Sequence, residues 1–259
     1  MRGYLPTRWG QLHYSCTGTS AKDAPTFVLC HETPLSWHAY ERLIPMLEQD
    51  HRVIAVDTPG YGQSDGPGSP TTMEEYATTI IEGLDVLDVG RVITYGLHTG
   101  ASLALQIAVD LAEQGRTAGV AVSGLPYYSD EVRQARRVRQ IPPVVDDGSH
   151  LTDTFRWEPD NYDAILRSRL VAGVIMQPER GYDAFHAVYR YQPARLLDRV
   201  TFPALTLSHR GDVLFDCDER FVAGVPQARM VLVDAERLPV YWTAPRSCAE
   251  QLSAFAAET

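Results

Sequence analysis

The run Val92-Ile93-Thr94-Tyr95 is β-branched and apolar, and it ends abruptly at Gly96. Gly100 then opens a second run, in which Leu103, Leu105, Ile107, Ala108 and Leu111 recur at helical spacing. Side chains alternate faces every two residues in a strand and every 3.6 in a helix. The chain must therefore change from one to the other between Gly96 and Gly100. So tight a turn needs small residues flanking a strained central one. That residue is His98, a type that tolerates positive φ better than most.

The rest of the chain repeats this unit. Tyr4 to Arg8 and Gln11 to Cys16 read as two short strands around Trp9-Gly10, and 17–25 as a loop. Continuous apolar runs at 26–30, 52–56, 119–124, 204–208 and 229–233 suit strands buried on both faces. Between them, Trp37, Tyr40, Leu43, Ile44 and Leu47 mark one helix, residues 72–89 a second and 245–257 the last. Strands alternating with helices predict a parallel sheet covered on both faces. The rhythm breaks at 125–202, which has helical pieces at 160–176 and 179–191 but no buried-strand run. The expected organisation is a core of 1–124 and 203–259 with a helical cap at 125–202.

Composition removes several classes of function. With 259 residues the chain can build one sizeable core plus an inserted cap. A net charge of −10 with no basic block argues against nucleic acid, since phosphate contacts need clustered Lys and Arg. The one Arg-dense stretch, Arg133, Arg136, Arg137 and Arg139, is short and reads as a solvated helix face. Cys16, Cys30, Cys217 and Cys248 show no metal-ligand spacing, so no metal is expected and the thiols read as reduced in a cytoplasmic protein. Met1 to Pro6 lacks an apolar h-region and no run approaches a membrane span, so neither a secretory signal nor a membrane partner is expected.

Four segments, in order, resemble the α/β-hydrolase fold family. His31-Glu32-Thr33-Pro34 is similar to its H-G-x-P oxyanion loop, with Glu32 where glycine is usual. Asp57-Thr58-Pro59-Gly60-Tyr61-Gly62-Gln63-Ser64 is similar to its D-x-P-G-x-G-x-S turn. Gly96-Leu97-His98-Thr99-Gly100 sits where the G-x-S-x-G nucleophile elbow belongs. Asp212, in Leu207-Ser208-His209-Arg210-Gly211-Asp212, stands where the family places its acid. The resemblance implies an α/β fold with a mostly parallel, eight-stranded type of sheet.

The chemistry it implies is incomplete. The family uses a nucleophile, a histidine base and an acid that orients the base. Here the nucleophile position holds His98. The position of the base, counted back from Pro245, holds Leu238, and no histidine follows His209. One expectation is a relocated base. Imidazole at the elbow reaches into the vacated volume, pairs with Asp212 and performs general acid/base chemistry without a cofactor. Backbone N–H groups of Thr33 and Thr99 would form the oxyanion hole. The substrate would be a small, largely apolar carbonyl compound, and the reaction a proton transfer of lyase, isomerase, cyclase or decarboxylase type. Two alternatives stay open: hydrolysis of an ester, lactone or C–C bond with His98 activating water, and a catalytically dead binding module. Candidate substrate contacts are Glu32, Trp37, His38, Tyr127, Tyr128, His150, Trp157 and Leu238, with Phe185, Tyr189, Tyr162 and Trp242 as further cap aromatics. His31 and Asp57 read as scaffold. The partner is a small molecule; the oligomeric state is open.

Overall fold

A computed structural model describes residues 1–19, 24–135, 144–157, 162–177 and 183–259. Its strands are β1 (Arg2–Thr7), β2 (Gly10–Thr17), β3 (Thr26–Cys30), β4 (Val53–Val56), β5 (Val92–Leu97), β6 (Thr117–Ser123), β7 (Ala204–Ser208) and β8 (Ala228–Leu232). The helices are α1 (Ile44–Leu47), α2 (Met73–Val86), α3 (Thr99–Ala112), α4 (Asp130–Ala135), α5 (Ser149–Arg156), α6 (Ala164–Met176), α7 (Asp183–Arg190), α8 (Phe215–Gly224), α9 (Val240–Thr243) and α10 (Pro245–Ala257).

The eight strands form one sheet in the order β1-β2-β4-β3-β5-β6-β7-β8. β1 and β2 join it antiparallel, and every pairing from β4 to β8 is parallel. The period of two divides each strand between the faces. Val28 and Cys30 enter the core that α2 and α3 cover, and Phe27 and Leu29 enter the core of α1, α9 and α10. Burial on both faces explains why these strands are apolar without a break.

The expected helix over 37–47 is instead a 3-10 turn, Trp37–Tyr40, followed by the short α1. Pro45 has no N–H to continue a longer ladder. α2 starts at a capping box: Thr72 accepts from the Glu75 N–H, and Glu75 accepts from the Thr72 N–H. α6 begins at Ala164, where the Asp163 side chain accepts from the Leu166 N–H at 2.9 Å. The start of that expected helix, the first residues of the 179–191 helix, and Arg136, Arg137 and Arg139 lie outside the described residues.

One topological fact places the chemistry. The chain runs from β3 outward to β4 and then returns to β5 on the other side of β3. Such a reversal opens a crevice at the C-terminal strand ends. Cys30 pairs with Gly96 across β3 and β5. Glu32 and His98, each just past those paired ends, therefore emerge side by side.

Candidate active site

His98 is the N-cap of α3 with φ 50° and ψ −114°. The two glycines make this turn possible. A Cβ on Gly96 would stand 2.1 Å from the Gly100 carbonyl oxygen, and one on Gly100 would stand 2.0 Å from that of Cys30. The His98 N–H donates to the Ser123 carbonyl at 3.0 Å, tying the elbow to the end of β6.

The imidazole meets Asp212 directly. His98 Nε2 lies 3.1 Å from Oδ1 and 3.0 Å from Oδ2. Asp212 Oδ1 also accepts from the Leu214 N–H at 2.8 Å. The Asp212 side chain is 3% exposed and the His98 ring 29%, so the pair is anchored on one side and open on the other. Burial pushes the His98 pKa down, but the charge and hydrogen bond of Asp212 outweigh it and hold it above the usual value. Burial pushes Asp212 up, and the His98 charge and bond with the Leu214 amide reverse this, so its carboxyl sits low. Among the described residues, Nδ1 has no hydrogen-bond partner.

Two residues that sequence reasoning missed shape this pair. Gly124, at φ +56°, packs against it; a Cβ there would lie 2.5 Å from His98 Cδ2 and 2.8 Å from Asp212 Oδ2. Asp218, fully buried on α8, accepts from the N–H groups of Gly124 and Leu125 at 3.0 and 2.8 Å and from Ser208 Oγ at 2.6 Å. It fastens the chain leaving β6 to the end of β7. Burial drives its pKa up to about 6 despite those three donors. The sequence signal for Gly124 is only a glycine after a strand, and Asp218 sits among Asp216 and Glu219 with nothing to mark it.

The His98 ring opens into a cavity of about 190 Å³. Its floor is Glu32, Thr33, Leu97, Thr99 and Asp212, and its roof carries Tyr128, Trp157, Tyr162, Phe185 and Tyr189. Leu238 closes the side where the family's base is usual. The described lining contains no Lys, Arg, Ser or Cys. The buried Cys30 thiol is pushed up to about 12 by burial and lies in the core.

The expected oxyanion pair is not open. The Thr33 N–H donates to Thr99 Oγ1 at 2.7 Å, and that hydroxyl donates to Thr33 Oγ1 at 3.1 Å. A side chain of the protein thus takes the position of a substrate oxygen at the Thr33 amide. The Thr99 amide, in the first turn of α3, has no intrahelical acceptor.

Four expected contacts lie elsewhere. The Trp37 ring lies against His38 with centroids 4.1 Å apart, and the Trp37 backbone N–H donates to Asp57 Oδ1 at 2.7 Å. His38 pairs with Ser36 Oγ at 3.2 Å. Tyr127 packs on the sheet core beneath Arg220. His150 Nδ1 accepts from the Val145 N–H at 3.4 Å in the turn before α5. None of the four is among the residues lining the cavity. Trp242 is buried, donating to Asp163 Oδ2 at 2.9 Å under the Arg42 guanidinium. His31 is a clamp: Nδ1 donates to the Glu32 carbonyl at 3.0 Å and Nε2 accepts from the Thr58 N–H at 3.0 Å.

Comparison with known proteins bears on the fold. The family model described as the alpha/beta hydrolase fold matches residues 25–139. Bromoperoxidase from Bacillus anthracis superposes with a TM-score of 0.81 at 18% identity, over 99% of this chain and 100% of that one. The chain has the α/β-hydrolase fold. An enol-lactonase from Burkholderia xenovorans shares it with a TM-score of 0.78 at 19% identity, over 98% and 100% of the two chains. In sequence, haloalkane dehalogenase 2 of Mycobacterium tuberculosis is 29% identical over 147 residues, 53% of this chain and 49% of that protein. The chain thus spans about half the length of such curated relatives. The 3-oxoadipate enol-lactonase 1 of Acinetobacter baylyi is 23% identical over 74% of this chain and 73% of its own. By their names these similar proteins are enzymes: a bromoperoxidase, two enol-lactonases and a haloalkane dehalogenase. No helix among the described residues is long and apolar enough to cross a membrane.

Proposed function

We propose that this protein is a cofactor-independent hydrolase of a small, largely apolar ester or lactone, in which His98 activates water. The observation that carries the reading is the direct contact of His98 Nε2 with Asp212 beneath an open aromatic cavity. Nε2–H donates to the carboxylate, which fixes the tautomer and leaves the Nδ1 lone pair for a proton. Water bound at Nδ1 then attacks the carbonyl carbon while His98 takes its proton. A covalent acyl route is disfavoured, since the described lining offers no serine or cysteine. The aromatic roof and a described lining without Lys or Arg suit an uncharged substrate.

A second reading, proton transfer next to a carbonyl without hydrolysis, is favoured by the same free nitrogen, since a carbon acid presented to Nδ1 meets the same base. Turnover of a panel of p-nitrophenyl esters and simple lactones in ¹⁸O-labelled water tests the two. The expected result is one labelled oxygen in the acid product and a rate that falls about 10²–10⁴-fold in His98→Ala with the fold intact. Deuterium uptake at the α-carbon without bond cleavage favours the second reading. Unchanged turnover in His98→Ala, or fluorophosphonate labelling of a serine, overturns both.

A further inference from the structure

The cavity holds a carboxyl group that His98 chemistry alone leaves unused. Glu32 occupies the oxyanion-loop position where the family has glycine. It lines the cavity yet is only 3% exposed. The Tyr241 hydroxyl donates to its Oε1, and among the described residues its buried Oε2 has no hydrogen-bond partner. A charged oxygen left unpaired in such a place costs several kcal/mol, whereas a neutral acid does not carry that cost.

We propose that Glu32 is a neutral carboxylic acid at this site and that its Oε2–H serves the substrate carbonyl oxygen in place of the Thr33 amide. The inference rests on the reading of His98 as the base. Three observations converge on it. Thr99 Oγ1 already occupies the Thr33 N–H, so the hole lacks a donor. The Tyr241 bond makes Oε1 the acceptor oxygen and leaves Oε2 to carry the proton. Cys30 pairs with Gly96, so Glu32 and His98 stand just past adjoining strand ends, and both line the same cavity.

The groups facing the carboxyl are Tyr241 on α9, Tyr162 ahead of α6, His98 at the elbow and the buried Tyr40 and Tyr95 hydroxyls. Burial pushes Glu32 upward, opposed by Tyr241, its own amide, His98 and Tyr162, and burial prevails.

The step balances. As the water oxygen bonds to carbon, its proton passes to His98 Nδ1, and the carbonyl π pair moves onto oxygen, which takes the Oε2 proton. On collapse Glu32 recovers that proton, the C–O bond to the leaving group breaks, and the departing oxygen takes the proton from His98. Both residues end as they began.

Infrared difference spectra of the whole protein against Glu32→Gln at neutral pH read the carboxyl directly. The expected signal is the C=O stretch of a protonated acid, which moves to higher frequency in Tyr241→Phe. Carboxylate bands alone overturn the proposal, whether or not a substrate has been found. On the ester and lactone panel, Glu32→Leu is expected to lose about 10²–10³-fold. Glu32→Gln, whose amide still donates, is expected to lose less than about tenfold. Equal losses in the two variants, or no loss in Glu32→Leu, overturn the role. Failure of the His98 reading is separate, because it shows as unchanged turnover in His98→Ala while the infrared band persists.

Discussion

Among the described residues two His–Asp pairs occur, and they differ in what surrounds them rather than in what they are. His13 Nδ1 meets Asp57 Oδ2 at 2.8 Å with side chains 2% and 1% exposed. Asp57 also accepts from the N–H groups of Trp37 at 2.7 Å and Gln63 at 3.0 Å, so its oxygens are spent on holding the β4 loop. His98 and Asp212 make a contact of similar length, but the His98 ring is 29% exposed and Nδ1 is free among the described residues. Each pair even has its own positive-φ glycine. A Cβ on Gly62 would lie 2.3 Å from Asp57 Oδ2, and one on Gly124 would lie 2.5 Å from His98 Cδ2. The same two residue types thus make a rivet where both are sealed and a site where one ring edge is left to solvent.

The sharpest way to break that contrast is to remove each histidine. His13→Ala leaves Asp57 buried without its partner. It is expected to cost about 3–5 kcal/mol of folding stability, read from urea denaturation with an unchanged slope. The equivalent loss at the open pair, His98→Ala, should appear in turnover instead; a large fall in stability there would erase the distinction.

The carboxylates give a smaller and pH-dependent difference. Asp212 is what holds the His98 pKa above the usual value of about 6.5. Activity through neutral His98 therefore rises with pH along a limb placed above that value. Asp212→Asn is expected to lower turnover on the order of 10²-fold and to move the limb to lower pH; a pH–rate profile that stays in place would show that Asp212 does not set it. Stability runs the other way. A raised His98 pKa stabilises the fold below its unfolded value, and this is lost as pH rises through the folded one. Burial pushes the Asp57 pKa up, but the bonds from His13, Gln63 and Trp37 override it and hold the carboxyl low, which stabilises at higher pH and is lost as pH falls.

The glycines give the smallest effects. Gly62→Ala and Gly124→Ala each force an alanine to positive φ, at a cost of roughly 1–2 kcal/mol. At Gly62 the melting temperature should drop with kcat of the folded fraction unchanged. At Gly124 the His98 ring is displaced into the cavity, so kcat should fall as well. Equal effects on kcat would sink the idea that only one pair does chemistry.

The sequence displayed the scaffold better than the walls of the cavity. The unbroken apolar run Thr26–Cys30 and the glycines around His98 are local patterns, and local patterns survive into the fold because strand and turn geometry act over a few bonds. Asp212 was legible through the order of segments. Tyr241, Asp218 and Gly124 were not, because each matters only through a partner brought near by the sheet: Glu32, the β6–β7 junction and the His98 ring. Trp37, His38, Tyr127 and His150 erred in the opposite direction. Nearness to a motif along the chain did not settle which way each ring turned.

The hydroxyl of Thr99, seated on the Thr33 amide, has a consequence for chemical probes. Compounds such as boronates gain affinity by placing an anionic oxygen between two backbone donors. In this protein one of those donors already has a tenant, supplied by the chain itself. A selective inhibitor should therefore carry a neutral acceptor and an aromatic body rather than a charged oxyanion mimic, and resistance to the usual reagents would rest on Thr99 together with a described lining that holds no serine or cysteine.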